Sequence, residues 1–373
     1  MWVVVGEQIV ILGGGIIGLS IAFECGRRGH QVTVLEKTSC GGQASGAAAG
    51  MLAPFSEIAE DPDDFFRLCL SSLRLYPTWQ ADVKAISERN FEYRNTGTLS
   101  CIYHEADMLL LESRRRWQGG FGAKAEIVEA AQLAKLEPEL SKDIIAAMYY
   151  PEESHVYAPD YVKALETACR NLGVRIYERL EEVHISEWRE GLTLTSKDGQ
   201  RFTGDRLVIS NGAWSKELEE TFSLTLPVFP IRGQICAYEV PVPKINHLIF
   251  TPQGYLVEKQ NGTLVNGASE DIAGFDTMVT EKGIFRLTNW NKRVLPFLEQ
   301  MTPFHTWAGL RPATQDGYPL IGALSSAPHV IFATGHYRNG ILLSPITGTV
   351  VADLIDGREV QTPLSDFHPE RFS

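Results

Sequence analysis

Two apolar runs frame a glycine cluster near the start of the chain. Ile9-Val10-Ile11-Leu12 leads into Gly13-Gly14-Gly15-Ile16-Ile17-Gly18, and Val32-Thr33-Val34-Leu35 ends on Glu36. The spacing predicts a strand, a tight turn, a helix and a second, parallel strand closed by an acid. That is the arrangement that holds an adenine dinucleotide. Gly13 permits the sharp turn, Gly15 leaves the backbone bare for a pyrophosphate, and Gly18 lets the helix pack on the sheet. The first N–H groups of the helix, at Ile16 and Ile17, have no intrahelical partner and carry partial positive charge. Glu36, followed by Lys37, stands where ribose hydroxyls arrive. A carboxylate there repels a 2′-phosphate, which argues against NADP. The motif alone does not separate NAD from FAD.

The chain has 373 residues, enough for two domains. Its net charge of −12 argues against a nucleic-acid partner or a basic membrane surface. Six scattered cysteines show no metal-ligand spacing, and isolated thiols of a reducing cytoplasm are expected. No metal site is expected from that spacing, and Glu7 and Gln8 interrupt the apolar N-terminus early, so no membrane segment is expected.

The pattern along the chain predicts a helix over 62–88 broken at Pro77. A strand over 93–103 with a turn at Asn95-Thr96-Gly97 follows, then a polar helical stretch over 106–136. A helix over 161–172 stops at Gly173. Residues 183–185 and 192–195 read as a hairpin, and 206–210 as a buried strand running into Asn211-Gly212. Residues 230–266 suggest a large antiparallel sheet, with a helix at 284–298. The tail gives a strand at 330–334, a loop over 335–343, and a helix from Pro345 to Ile355. The fold class expected is therefore α/β: a Rossmann-type nucleotide domain (1–90, 146–226 and 305–373) and an α+β substrate domain (91–145 and 227–304).

Three further motifs carry a resemblance: Ser45-Gly46-Ala47-Ala48-Ala49-Gly50-Met51, the run from Trp307 to Gly322 centred on Gly309-Leu310-Arg311-Pro312, and Gly335-His336-Tyr337-Arg338-Asn339-Gly340-Ile341-Leu342-Leu343. With the glycine cluster, they make the chain resemble the FAD-dependent D-amino-acid oxidase-like amine oxidoreductases over nearly its whole length. The last motif points to the glycine oxidase branch, which feeds thiazole synthesis for thiamine. The resemblance implies non-covalent FAD and oxidation of glycine or another small amine, such as sarcosine or a small D-amino acid. Oxygen would be reduced to hydrogen peroxide, in a cytoplasmic homotetramer.

It also implies site residues. Arg311 would grip the substrate carboxylate, because a guanidinium fork matches a carboxylate with two parallel hydrogen bonds. Tyr255 would close the pocket over that carboxylate, Arg338 would contact substrate or guard the mouth, and Met51 would line the pocket. Ala44, Ser45, Ala49, Gly50 and Met51 would border the cofactor, and the backbone of Glu182 would hold its adenine. Gly212, and His336 through Tyr337, Arg338, Asn339, Gly340 and Ile341 to Leu342, would approach it from the other side. A helix starting near Pro345 would aim its positive end at the flavin. No catalytic base is expected: transfer of the Cα hydrogen as hydride needs none if the amine arrives neutral, so His336 is read as packing beside the flavin. Ala44 and Gly46 replace hydroxyl residues common in the family, with Ser45 available to compensate. Glu270 stands where some relatives carry methionine.

Of three alternatives, two stay open. A sarcosine-oxidase-like covalent flavin linkage near Arg311 is excluded, since no cysteine follows Cys236. A D-amino-acid dehydrogenase with a different electron acceptor shares the Arg311 and Asp316 motifs. A non-catalytic flavoprotein on the same fold would have no use for Arg311, Tyr255 and Arg338 together.

Overall fold

The computed structural model describes residues 6–58 and 62–373, and the apolar run 1–5 lies outside it. The glycine cluster sits at the centre of a six-stranded sheet. Its strands run in the order Leu320–Leu324, Ala327–Thr334, Arg206–Ile209, Gln8–Leu12, Gln31–Leu35, Arg175–Tyr177. Five are parallel and the first is an antiparallel edge. The central strand explains its own composition. Ile9 and Ile11 point into one apolar core, Val10 and Leu12 into another, so both faces are covered and the run need not alternate with polar residues.

Gly13 has φ +112°, and a side chain there would meet the Ser210 carbonyl oxygen at 2.5 Å. Only glycine takes that conformation at that closeness. The helix Ile16–Arg27 that follows buries nine of its residues between the sheet, the helix Ala158–Asn171 and the helix Gly340–Asp356. It is apolar nearly all round, as a helix covered on every side must be.

The second layer is an eight-stranded sheet. Its order is His305–Thr314, Val228–Glu239, Thr263–Gly267, Gly254–Glu258, Leu248–Thr251, Thr98–Ile102, Ala146–Tyr150, Glu126–Glu129. Every neighbouring pair is antiparallel except Leu248–Thr251 beside Thr98–Ile102, so the sheet is mixed rather than purely antiparallel. The segments 146–150 and 305–314, assigned from sequence to the nucleotide domain, pair in this sheet. Among the described residues no helix is long and apolar enough to cross a membrane, and no cluster of three metal-ligating side chains forms.

Four local expectations differ from the structure. Pro77 does not break its helix, which runs unbroken from Asp64 to Ser87. Tyr76 and Trp79 flank the proline and are buried; Trp79 packs edge-on against Phe23 and donates to the Tyr161 hydroxyl at 2.8 Å. That packing outweighs one missing N–H. The stretch 106–136 is not continuously helical. Its helix ends at Gly119 among glycines 119, 120 and 122, and the strand Glu126–Glu129 follows. The stretch 93–103 turns as expected at Gly97 (φ +72°), but Tyr93–Arg94 and Thr98–Ile102 then enter different sheets.

The fourth difference bears on the site. The last helix begins at Gly340, five residues before Pro345, so the expected loop over 335–343 is partly helical. Pro345 has no N–H to give the carbonyl of Ile341. That carbonyl accepts instead from the hydroxyls of Tyr76, at 2.5 Å, and Ser344, at 2.9 Å. One tertiary hydroxyl and one from the same helical turn replace the lost helical bond.

Candidate active site

A cleft of about 1310 Å³ runs from the glycine turn to Arg311. At one end it is lined by Gly13, Gly15, Ile16, Ile17, Glu36, Lys37, Ala44, Ser45 and Glu182. Gly15 caps the first helix without any side-chain hydrogen bond. The Ile16 N–H is taken by the Ser45 hydroxyl at 2.9 Å, which leaves the next N–H groups facing the cleft without an intrahelical acceptor. Ser45 thus holds the helix start rather than standing free. Glu36 accepts from the N–H groups of Gly14 and Thr38, each at 2.8 Å, which fixes its carboxylate at the strand end.

Ala49, Gly50, Met51, Gly212, Tyr337, Gly340 and Ile341 border the middle of the cleft. Gly18, Asn339 and Leu342 do not line it. Gly18 packs instead against the turn, where a side chain would meet the Gly13 carbonyl oxygen at 2.0 Å. Leu342 is buried beneath, its carbonyl held by the Ser72 hydroxyl. Asn339 precedes the last helix, whose start has no side-chain cap and borders the cleft at Gly340 and Ile341. His336 is buried, bonded to the Thr347 hydroxyl at 3.0 Å, and burial holds its ring neutral, down to about 3. A base that must take a proton near neutrality is not provided by such a ring.

The far end is charged. Arg311, Arg338, Tyr255, Glu57 and Glu270 all face it. Arg311 donates to the Ser269 carbonyl at 2.9 Å and lies across Gly233. Tyr255 is buried, and burial raises its hydroxyl to about 12 against the opposing pull of the two arginines. Arg338 stands between two carboxylates, 3.0 Å from Glu270 and 3.9 Å from Glu57. Glu57 is driven up from the usual carboxylate range by burial, opposed by Arg338 and Arg311. The Tyr337 hydroxyl donates to Glu270 at 2.9 Å.

Sequence reasoning missed Glu57 and Gly233. Glu57 is delivered by the short helix Pro54–Glu57, which is tied down from afar. The Ser56 N–H donates to the buried Glu153 at 2.8 Å, and Gln118 donates to the Phe55 carbonyl, also at 2.8 Å. Nothing in the local sequence announces that tether. Gly233 carries a weak signal: a glycine inside a strand marks close approach of another group.

The family described as FAD dependent oxidoreductase matches residues 8–354. The chain belongs to that family. A glycine oxidase of Geobacillus kaustophilus is 33% identical over 362 residues, covering 96% of both chains. The crystal structure of the glycine oxidase from that organism superposes with a TM-score of 0.93 at 32% identity, over 98% of each chain. A bifunctional ThiO/ThiG protein of Synechocystis is 34% identical over 98% of this chain, which spans about half (54%) of that longer protein.

FAD is the cofactor of the family, and the cleft fits it. The bare glycine turn, the fixed Glu36 carboxylate and the two helix starts that border it match a molecule with a pyrophosphate in the middle and a ring that becomes negative on reduction.

Proposed function

We propose that this protein oxidises glycine and other small amino acids with non-covalently bound FAD. The imine formed would be hydrolysed to glyoxylate and ammonia. The observation that carries the proposal is the guanidinium of Arg311 beside the buried Tyr255, in the same cleft as the glycine turn. The near full-length similarity to glycine oxidases supports the substrate, and the similarity to bifunctional ThiO/ThiG proteins supports a role in thiazole formation for thiamine.

Each residue has a task in this proposal. Arg311 takes the α-carboxylate in its fork, and Tyr255 covers it. Met51, Ala49 and Gly50 shape the wall against the substrate and the ring. The start of the first helix takes the pyrophosphate through the backbone at Gly15 and Ile17, Ser45 holding the Ile16 N–H, and Glu36 takes the ribose, with Lys37 beside it. Ala44, Ser45, Glu182 and Gly212 border the nucleotide, while His336, Tyr337, Arg338, Gly340 and Ile341 form the wall and helix start next to the ring, with Asn339 and Leu342 behind them. Bound FAD would supply the acceptor for the Cα hydrogen as hydride and the route of the electrons to oxygen, with hydrogen peroxide as the product. The protein then needs only to orient glycine, exclude water and stabilise negative charge, which the helix start at Gly340 does. A cytoplasmic location and a homotetramer belong to the same proposal through the family resemblance.

The test is absorbance of the purified flavoprotein mixed with glycine. Bleaching without oxygen, and hydrogen peroxide with it, is the expected pair of results. Bleaching without rapid peroxide in air would assign the electrons to another acceptor. No bleaching with any small amino acid would overturn the proposal.

A further inference from the structure

We infer that Glu270 sets the specificity of the cleft by excluding amines that carry a second anionic group. The inference rests on the assignment of Arg311 to the α-carboxylate. Arg311 and Arg338 face Glu57 and Glu270 in the cleft, and the third lining guanidinium, Arg286, is paired with Asp271. The two arginines are not equivalent. Arg338 has Glu270 at 3.0 Å on one side and Glu57 at 3.9 Å on the other. Arg311 donates only to a neutral carbonyl, that of Ser269. One guanidinium is open to an anion and the other is already matched.

Glu270 has a half-exposed side chain on a backbone that is held in place. On one side the Ser269 hydroxyl accepts from the Gln234 N–H at 2.9 Å and donates to Asp271 at 2.7 Å. On the other, Asp271 and Arg232 exchange backbone hydrogen bonds at 2.9 and 3.0 Å. The backbone on both sides is therefore pinned to the strand Val228–Glu239, and the Tyr337 hydroxyl fixes the carboxylate itself. A group held this way costs little further ordering when it acts. A second carboxylate on the substrate, reaching toward Arg338, has to displace Glu270 or lie beside two like charges. A hydrogen or a methyl group on the amine meets no such penalty. The class admitted is monoanionic amino acids with small neutral substituents; the class rejected is dianions such as N-carboxymethylglycine (iminodiacetate).

Glu270→Gln removes the charge and keeps the shape and an acceptor for the Tyr337 hydroxyl. Two readouts on the FAD-loaded protein decide. The first is the ratio of kcat/KM for iminodiacetate to that for glycine. The second is the ratio of dissociation constants for acetate and malonate, read from the change each makes in flavin absorbance without turnover. Both ratios are expected to rise about tenfold or more in the variant, the scale of one close charge pair. Ratios unchanged or lowered in Glu270→Gln overturn the assignment. If glycine does not reduce the flavin of the unaltered protein, the proposed function fails, and the acetate and malonate comparison still decides the role of Glu270.

Discussion

The guanidinium of Arg311 lies flat against the backbone of Gly233. A methyl group built on Gly233 would stand 2.5 Å from Cζ and from both terminal nitrogens of Arg311. The two residues are diagonal neighbours two positions apart on adjacent strands, Gly233 facing Gly309 and Ile231 facing Arg311. The fork of Arg311 is therefore aimed by the absence of a side chain across the ladder.

Gly233→Ala should displace that fork while leaving its charge. The methyl group meets the end of a flexible side chain, so the protein folds but the carboxylate site moves. Misplacement by about 1 Å costs on the order of 100-fold in kcat/KM. Steady-state kinetics with glycine should show a loss of roughly that size, carried mainly by KM, with flavin content retained. Unchanged kinetics would mean that Arg311 does not act from this position.

Glu153 gives a pH dependence of stability. Burial raises its carboxyl from 4.5 to about 7, even though Ser56 donates to it. The native state then keeps a proton that the unfolded chain has lost. Stability should fall as pH rises from about 4.5 to about 7, by up to roughly 3 kcal/mol. Glu153→Gln should flatten that part of the profile, measured by chemical denaturation at successive pH values. A slope that survives the substitution would assign it to another group.

Tyr76→Phe removes one of the two donors that replace the helical bond Pro345 cannot make. Ser344 still serves the Ile341 carbonyl, so the cost should be about 1 kcal/mol rather than that of a bare buried carbonyl. The second change, Ser344→Ala on top of Tyr76→Phe, should cost more than Ser344→Ala alone, because the carbonyl is then left without a hydroxyl donor. Because Ile341 lines the cleft, FAD affinity should fall with it. Denaturant midpoints and flavin titration check both; additive effects of the two substitutions would contradict the shared carbonyl.

The nucleotide end was legible because its physics is local. Gly13 is demanded by the turn it makes and Gly18 by the Gly13 carbonyl five residues before it, and the apolar strands Gln8–Leu12 and Gln31–Leu35 declare a sheet covered on both faces. The charged end was legible only in part. Arg311 and Arg338 lie in long motifs, but Glu57 reaches the cleft through a tether to Glu153, 97 positions from Ser56. The start of the last helix was misplaced for a similar reason. Pro345 is a sound local sign of a helix start, and the buried hydroxyl of Tyr76, far away in sequence, is what lets the helix begin at Gly340.

The most direct test of the account is anaerobic reduction of the bound flavin at increasing glycine concentration, in the unaltered protein and in Arg311→Ala. Loss of a charged hydrogen-bonding partner costs roughly 2–5 kcal/mol. The half-saturating glycine concentration should therefore rise by about 30-fold or more in the variant. The same concentration dependence in both proteins would contradict the account, because the substrate carboxylate would then be held elsewhere.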